Sequence, residues 1–497
     1  MKENLKDSVI RGVTWTGISR FLTQTIQLFT TIILARLLFP KDFGVVGIAG
    51  MFIQLESTLN RMGLPSAIIH KENLDDEHLS SVFWANIVAS LVLCSVTILM
   101  SGLIASFFRD NLVKFVLIAL SFMFIGGSFQ GVQNALFAKK LEFKKLAFVS
   151  ISEILSNGIV SVLLAILQFG VWSLVWGRLC GVITGAIVTW IMSSWRPKFV
   201  FVLPKFKELF NFGINVMGVN MLDCAYVNVD RLIVGRFLGV APLGVYTMAY
   251  NFVTLPQRKF SSIITEVAFP AFSKIQKDND KIARNYLKML HYISVVSFPL
   301  LSGLLIVAPE FVKSLLGEKW LGIIMPLQIM CIAGIVKSIG ATAGSLFYSK
   351  GRPDLELKLN IVAISTLIPM LIWGAKGGII MVAMVVAMHS LMLGYISFSF
   401  ISKLIQVKWI NILKSLFPAT FLSFAMVVVL IIYRFGFQLI LRNETILLIS
   451  SICIGAFVYL FLFVKFYKET FEKTVKGLIR RMLLKAPKET GIENIPF

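Results

Sequence analysis

Hydrophobic positions fall in long unbroken runs along this chain rather than in short alternations. Fourteen such runs lie between residues 12 and 466, and they repeatedly exceed the roughly 20 residues that a helix needs to cross the hydrocarbon of a bilayer. They are apolar throughout and show no two-residue alternation, so they predict membrane-spanning helices and not a barrel. Within several runs the polar residues return every three or four positions. Arg20, Gln24, Gln27 and Thr31 form one stripe on the first span, and Asn220, Asp223 and Arg231 form a similar one on the seventh. Ser150, Glu153, Asn157 and Ser161 mark the fifth span; Lys337, Ser338, Thr342 and Ser345 mark the tenth. Polar faces shared by several helices are what the walls of a water-filled chamber require.

The pattern also repeats itself. Residues 33–52 return at 233–252 with seven identities in twenty positions: Ile33, Arg36, Leu38, Gly44, Val45, Ala49 and Phe52. Chance would supply about one or two, so a duplicated unit is the better account. The expected architecture is an all-α polytopic membrane protein of 14 transmembrane helices. Residues 1–200 would form an N-terminal lobe and 201–402 a second lobe related to it by a pseudo-two-fold axis. Residues 403–497 would add an extra helix pair and an amphipathic basic tail. Duplicated bundles of this kind usually hold a substrate site where the halves meet.

Composition sharpens the picture. Apolar residues make up 57% of the chain, charged residues 15%, and mean hydropathy is +0.82. The net charge of +22 invites a nucleic-acid partner, but its distribution excludes one. Segments on the side of both termini hold 31 Lys and Arg against eight on the other. This positive-inside asymmetry places both termini in the cytoplasm. The five cysteines and four histidines show no metal spacing, and no phosphate-binding GxxxxGK[ST] loop occurs. The acids Asp75, Asp76 and Glu77 beside His78 fall in a short loop and are expected to be solvated. With short loops and no extramembrane domain the chain is not expected to be an enzyme, to need a cofactor or metal, or to work as more than a monomer.

Ionisable side chains inside spans carry the candidate chemistry, because each costs a few kcal/mol on insertion scales and tends to face a polar interior. Arg20, Arg61, Arg178, Arg231 and Lys337 are candidates for an anionic cargo, with Gln24, Gln27, Asn157, Asn220 and Asp223 as polar lining. Glu56, Glu153, Asp223 and Asp230 are candidates for ion coupling (Na+ or H+) or for charge pairing with an arginine. Arg36 and Arg236 precede a turn at helix ends, where they would snorkel or cap carbonyls; with Gly44 and Gly244 they are read as structural or gate residues. Arg61 divides evenly between gate and snorkelling anchor. Pro256, Pro270, Pro299, Pro326 and Pro369 suit hinges or packing kinks alike.

The repeated Ala35-Arg36-Leu-Leu-x-Pro40-x-Asp42-x-Gly44 and Asp230-Arg231-x-Ile233-x-Gly235 with Ala241, Gly244 and Tyr246 resemble the polysaccharide-transporter branch of the multidrug/oligosaccharidyl-lipid/polysaccharide exporter superfamily, and within it the Wzx-type flippases. The resemblance covers about residues 5 to 480 and implies a two-lobed bundle. It implies movement of undecaprenyl-diphosphate-linked oligosaccharides from the inner to the outer leaflet by alternating access, coupled to an ion gradient. It assigns Arg20, Arg61, Arg178, Arg231 and Lys337 to the diphosphate and acidic sugars. It also implies a polysaccharide polymerase and export machinery as partners beside the lipid bilayer. The alternatives are a multidrug or cation exporter of the same superfamily, a peptidoglycan lipid-precursor flippase and, further off, a membrane polysaccharide polymerase.

Overall fold

The computed structural model describes residues 2–61, 64–71, 74–257, 261–437 and 443–467, and among them there is no β-strand. Seventeen helices follow one another among the described residues: α1 (Lys2–Leu37), α2 (Pro40–Arg61), α3 (Leu64–His70), α4 (Asp76–Phe108), α5 (Asn111–Lys139), α6 (Phe143–Ile166), α7 (Val171–Met192), α8 (Leu203–Leu238), α9 (Val240–Val253), α10 (Ser262–Lys274), α11 (Asn279–Phe311), α12 (Ile324–Gly340), α13 (Thr342–Ser349), α14 (Pro353–Ala375), α15 (Gly378–Leu404), α16 (Trp409–Phe437) and α17 (Glu444–Phe466). They gather into two compact units, Met1–Thr247 and Met248–Phe497. Ten described helical segments are long and apolar enough to cross a membrane. The other four expected runs coincide with α1, α2, α8 and the α9–α10 pair. Of these, α1, α2 and α8 carry ionisable residues within the run (Arg20, Glu56 and Arg61, Asp230 and Arg231), while α9 and α10 are each shorter than a span. Most of the basic tail lies outside the described residues.

In the first unit the helices approach through glycine. Lipid is as apolar as leucine, so helix association in a membrane rests on close packing and polar contacts rather than on the hydrophobic effect. Gly177, Gly181 and Gly185 line the face of α7 toward α6. A Cβ at Gly177 would sit 1.8 Å from Ser161 Oγ, and one at Gly181 would sit 2.9 Å from the Glu153 carbonyl oxygen. Gly158 of α6 does the same toward α1, where a Cβ would meet Thr30 Oγ1 at 2.8 Å.

The closest backbone-to-backbone approach among the described glycines joins the two sequence repeats. A Cβ at Gly44 would lie 1.8 Å from the Val240 carbonyl oxygen, and a Cβ at Gly244 would lie 1.8 Å from the Pro40 carbonyl oxygen. Each position sits 200 residues from its counterpart, so the first turns of α2 and α9 cross in one self-complementary contact. Gly47 and Thr247 continue it, with 3.6 Å between a Cβ at Gly47 and Thr247 Oγ1. The turn before α2 is held by Asp42, whose carboxylate accepts from the Phe39 N–H at 2.9 Å. At the same end Lys41 pairs with Asp110 at 3.0 Å, and Asp110 caps α5 through the Leu112 N–H.

The other end of this unit carries an ionic clasp where solvated acids were expected. Lys205, at the start of α8, binds both Asp75 and Glu77. Lys198 pairs with Asp76 at 2.7 Å, and Lys71 pairs with Glu208 at 2.6 Å. The His78 ring lies between them, 2.6 Å from Asp75 and 2.6 Å from Lys71 Nζ. Exposed pairs contribute little one at a time. Here they converge because hydroxyls of α4 also fix the chain before α8: the Lys198 N–H donates to Ser80 Oγ and the Val202 N–H to Ser81 Oγ. The Lys205 ammonium, followed by the His78 N–H, holds the Asp75 carboxyl well below the usual carboxylate range.

The second unit is organised on α11, against which α12, α16 and α17 pack. Its core holds Tyr286, Met289, Leu290 and Ile293 of α11 with Phe347 of α13 and Ile401 of α15. Tyr286 and Thr342 share a buried hydroxyl contact at 2.9 Å. Near the far end of α11, Glu310 is 2% exposed and takes the Arg434 guanidinium of α16 at 2.5 Å. Tyr459 of α17 donates to the Val295 carbonyl at 2.8 Å, which fastens the appended pair to α11. Of the prolines, Pro270, Pro299 and Pro369 stand inside helices. Pro326 falls in the first turn of α12, where no backbone donor is lost from the helix ladder.

Gly44→Ala and Gly244→Ala are each expected to destabilise the detergent-solubilised protein by at least about 1–3 kcal/mol, since backbone must move to admit the methyl group. Gly102→Ala, which faces open space, should leave the melting temperature unchanged. For the clasp, a carboxyl with a depressed folded-state value contributes fully above the unfolded value of about 3.9 and loses its contribution as pH falls below it. Asp75→Asn should therefore lower the melting temperature equally at pH 8 and pH 5, and the gap should close only below about pH 4.

Candidate functional site

The side chains of Glu56, Arg61, Asn220 and Asp223 lie outside the described residues. The remaining sequence candidates fall in both units, and each unit shows its own grouping.

In the first unit α2 is the meeting line. Gly50, Gln54, Ser57 and Thr58 recur at three- and four-residue spacing on one face of α2, with Gly47 a turn before them. Arg178 reaches this face from α7. Gly177 already faces α6, and the next residue turns about 100° away from it, which carries the Arg178 guanidinium toward α2. Its Nη1 would lie 3.4 Å from a Cβ on Gly50, so the glycine leaves the room that the side chain uses. No ion pair or hydrogen bond joins Arg178 to a carboxylate among the described residues.

Asn228 reaches the same face one turn along and links Arg231 to it. Asn228 of α8 donates to Gln54 Oε1 at 3.4 Å and to the Cys224 carbonyl at 2.8 Å. The Asn228 side-chain amide oxygen Oδ1 accepts from Arg231 Nη1 at 3.3 Å. The neighbouring Asp230 is buried; it accepts the Tyr246 hydroxyl of α9 at 2.6 Å and the Arg231 backbone N–H at 2.7 Å. Arg178 thus approaches the stripe at Gly50, and Arg231 is linked through Asn228 to Gln54, one turn along it.

On α1 the stripe stands largely in the open: Arg20 and Gln27 are exposed, Gln24 and Thr31 half-buried. Thr31 spends its hydroxyl on the Gln27 carbonyl at 2.7 Å. On α6, Asn157 accepts from Ser161 at 3.1 Å. The Glu153 carboxylate points toward α7, and among the described residues it pairs with no arginine. Arg236 donates to the Phe107 carbonyl at 2.5 Å in the last turn of α4, its guanidinium 4.7 Å from the Phe107 ring centre. Arg36 is exposed at the end of α1.

In the second unit Lys337 is half-buried with its ammonium 4.9 Å from the centre of the Tyr250 ring, a cation–π contact. The rest of its stripe is not a wet wall. Ser338, Thr342 and Ser345 are buried and donate to the carbonyls of Gly334, Ile339 and Thr342. Hydroxyls at such spacing satisfy themselves on their own helix as readily as they face water. Among the described residues no three His, Cys, Asp or Glu side chains converge as a metal set would.

Sequence reasoning missed Gln54 and Asn228, which bring Arg231 to α2, and the α2 stripe as a whole. The signal was present in the spacing of Gly47, Gly50, Gln54, Ser57 and Thr58, but two glycines in it carry no polarity and hide the period.

A polysaccharide biosynthesis protein family model matches residues 33–325 of the chain. The lipopolysaccharide biosynthesis protein WzxC of Escherichia coli (strain K12) is 29% identical over 75% of this chain and 76% of its own length. The teichuronic acid biosynthesis protein TuaB of Bacillus subtilis (strain 168) is 28% identical over 95% of this chain and 99% of its own. Among solved structures, the lipid II flippase MurJ in an inward closed conformation superposes with a TM-score of 0.77 at 17% identity, covering 92% of this chain and 100% of that one. That likeness shows the fold: an all-helical, multi-pass membrane bundle. With more than half of its length matched by the family model, the chain belongs to the polysaccharide biosynthesis protein family.

Proposed function

We propose that this protein is a flippase that moves undecaprenyl-diphosphate-linked oligosaccharide units from the inner to the outer leaflet of a bacterial cytoplasmic membrane by alternating access. The observation that carries the reading is the approach of Arg178 to Gly50 of α2, with Arg231 linked through Asn228 to Gln54 of the same stripe. A guanidinium at membrane depth costs about 2.5–3.5 kcal/mol on insertion scales, which a site for an anionic ligand offsets. A diphosphate offers several charged oxygens in the geometry that the arginine fork binds bidentately, and such bonds strengthen where water is scarce. The hydroxyls and amides of α2 and α8 suit a sugar.

The names of the relatives support the cargo class, since lipopolysaccharide and teichuronic acid are both built from sugars. Arg20, Arg61 and Lys337 are proposed as further cationic contacts, with Gln24, Gln27, Asn157, Asn220 and Asp223 as polar lining. Residues 1–200 and 201–402 are proposed as the two moving repeats, with 403–497 peripheral to them. Both termini are placed in the cytoplasm on the strength of the basic asymmetry. Transport rather than catalysis is the activity proposed, with polymerase and export machinery receiving the glycan on the outer side.

The test is a vesicle assay with purified protein and undecaprenyl-diphosphate-linked oligosaccharide, scored by a membrane-impermeant glycosidase. Protein-containing vesicles should equilibrate the glycan between leaflets. Arg178→Ala and Arg231→Ala should each slow this by about tenfold or more, the worth of one charge-assisted hydrogen bond. Arg178→Lys should restore part of the loss. No equilibration above empty vesicles, or an unchanged rate in the double variant, overturns the reading.

A further inference from the structure

One ionisable group in the first unit is not used by the cargo site. The exposed large apolar residues of α6 are Phe148, Leu155, Ile159, Leu163 and Ile166, which form its lipid-facing side. Glu153 lies well round the helix from them, on the side that packs against the glycine ladder of α7. A Cβ on Gly185 would sit 3.2 Å from Glu153 Oε2, 3.3 Å from Gln130 Oε1 and 3.5 Å from Gln130 Nε2. The carboxylate of α6 and the amide of α5 therefore converge on the bare backbone of α7.

Among the described residues no cation pairs with this carboxylate. Helices α1, α5 and α7 pack against α6. Arg178 of α7 turns toward Gly50, and Arg20 of α1 is exposed. Lys139 of α5 donates to the carbonyls of Ile68 and Lys71, and Lys114 stands at the opposite end of that helix. On α6 itself Lys144 lies over the Trp15 ring and Lys145 pairs with Glu142. Among the described residues neither an ion pair nor a hydrogen bond joins any of them to Glu153.

A second, independent set of atoms leads to the same place. Gln133, one turn from Gln130, is fully buried, and neither end of its amide has a partner. Thr189, one turn from Gly185, is likewise fully buried with an unpartnered hydroxyl. Asn86 of α4 is 5% exposed with an unpartnered carbonyl oxygen, and its amide nitrogen would lie 3.5 Å from a Cβ on Gly131. Buried polar atoms lacking protein partners are where internal water binds. Thr189 and Gln133 lie between Glu153 and the end of the unit that carries the ionic clasp, because α5 and α7 both run toward that end.

We propose that Glu153 is the proton-binding carboxyl of the transport cycle, reached from the clasp end along water held by Thr189, Gln133 and Gln130. This rests on the transporter reading above and adds its coupling ion. The step balances simply: one O–H bond forms between a Glu153 oxygen and a proton delivered by water, and the carboxylate charge disappears. A neutral carboxyl is compatible with α6 closed on the glycines of α7, whereas a carboxylate favours an arrangement that admits water. The proton thus binds the two arrangements with different affinity, which is what coupling requires.

Infrared difference spectroscopy of the purified protein on a pH step tests this without any glycan. The wild-type protein should show a carboxylic-acid carbonyl band, shifted in heavy water, that is missing from Glu153→Gln and kept in Glu153→Asp. In the vesicle assay a gradient of about one pH unit should bias wild-type glycan distribution by up to about tenfold and leave Glu153→Gln unbiased. A band unchanged in Glu153→Gln, in protein that elutes as a single folded species, overturns the proposal, as does a gradient response retained by that variant. Glycan movement failing in the wild type while the band behaves as expected would count against the flippase reading and leave the proton site standing.

Discussion

A charge inside hydrocarbon has to be paired, hydrated or neutralised, and the ionisable residues of this protein divide among those fates. Glu310 is paired: the Arg434 guanidinium closes on it at 2.5 Å between α11 and α16. Asp230 is held by hydrogen bonds, taking the Tyr246 hydroxyl and a backbone N–H. Removing one partner from such a pair typically costs about 3–5 kcal/mol, so these groups fix helix packing. Arg178 and Glu153 are settled by neither device among the described residues. Their positions, one beside Gly50 and one beside Gly185, are where the proposed head group and the proposed proton would bind.

The second determinant is the distance between helix backbones. Polar groups meet only where helices come close, and glycine sets that closeness along α7 and at the crossing of α2 with α9. The same ladder that lets α6 approach α7 leaves no α7 side chain at Gly185 over the Glu153 carboxylate. The same absence of a side chain at Gly50 gives the Arg178 guanidinium its place. Packing and chemistry are one arrangement here.

Much of this was legible in the chain. The apolar runs foretold the helices, and the 200-residue repeat singled out Gly44 and Gly244, which turn out to clasp the paired carbonyls of Val240 and Pro40. Periodicity alone misled in the stripe after Lys337, because a serine or threonine can satisfy its hydroxyl on the preceding turn. It was silent on the α2 stripe, whose members include glycines. The ionic clasp was unreadable for another reason: Asp75, Glu77 and Lys205 are 128 to 130 residues apart, and only the fold brings the loops together. Arg434 and Glu310, 124 residues apart, met for the same reason.

The central claim is that Arg178 and Arg231 seat a phosphorylated polyprenyl head group. Native mass spectrometry of the purified protein titrated with undecaprenyl diphosphate, against uncharged undecaprenol as reference, tests it most directly. The account predicts stoichiometric retention of the diphosphate, little of the alcohol, and a diphosphate affinity at least about tenfold weaker when both arginines are alanine. Equal retention of the two lipids, or an affinity indifferent to both substitutions, would contradict it.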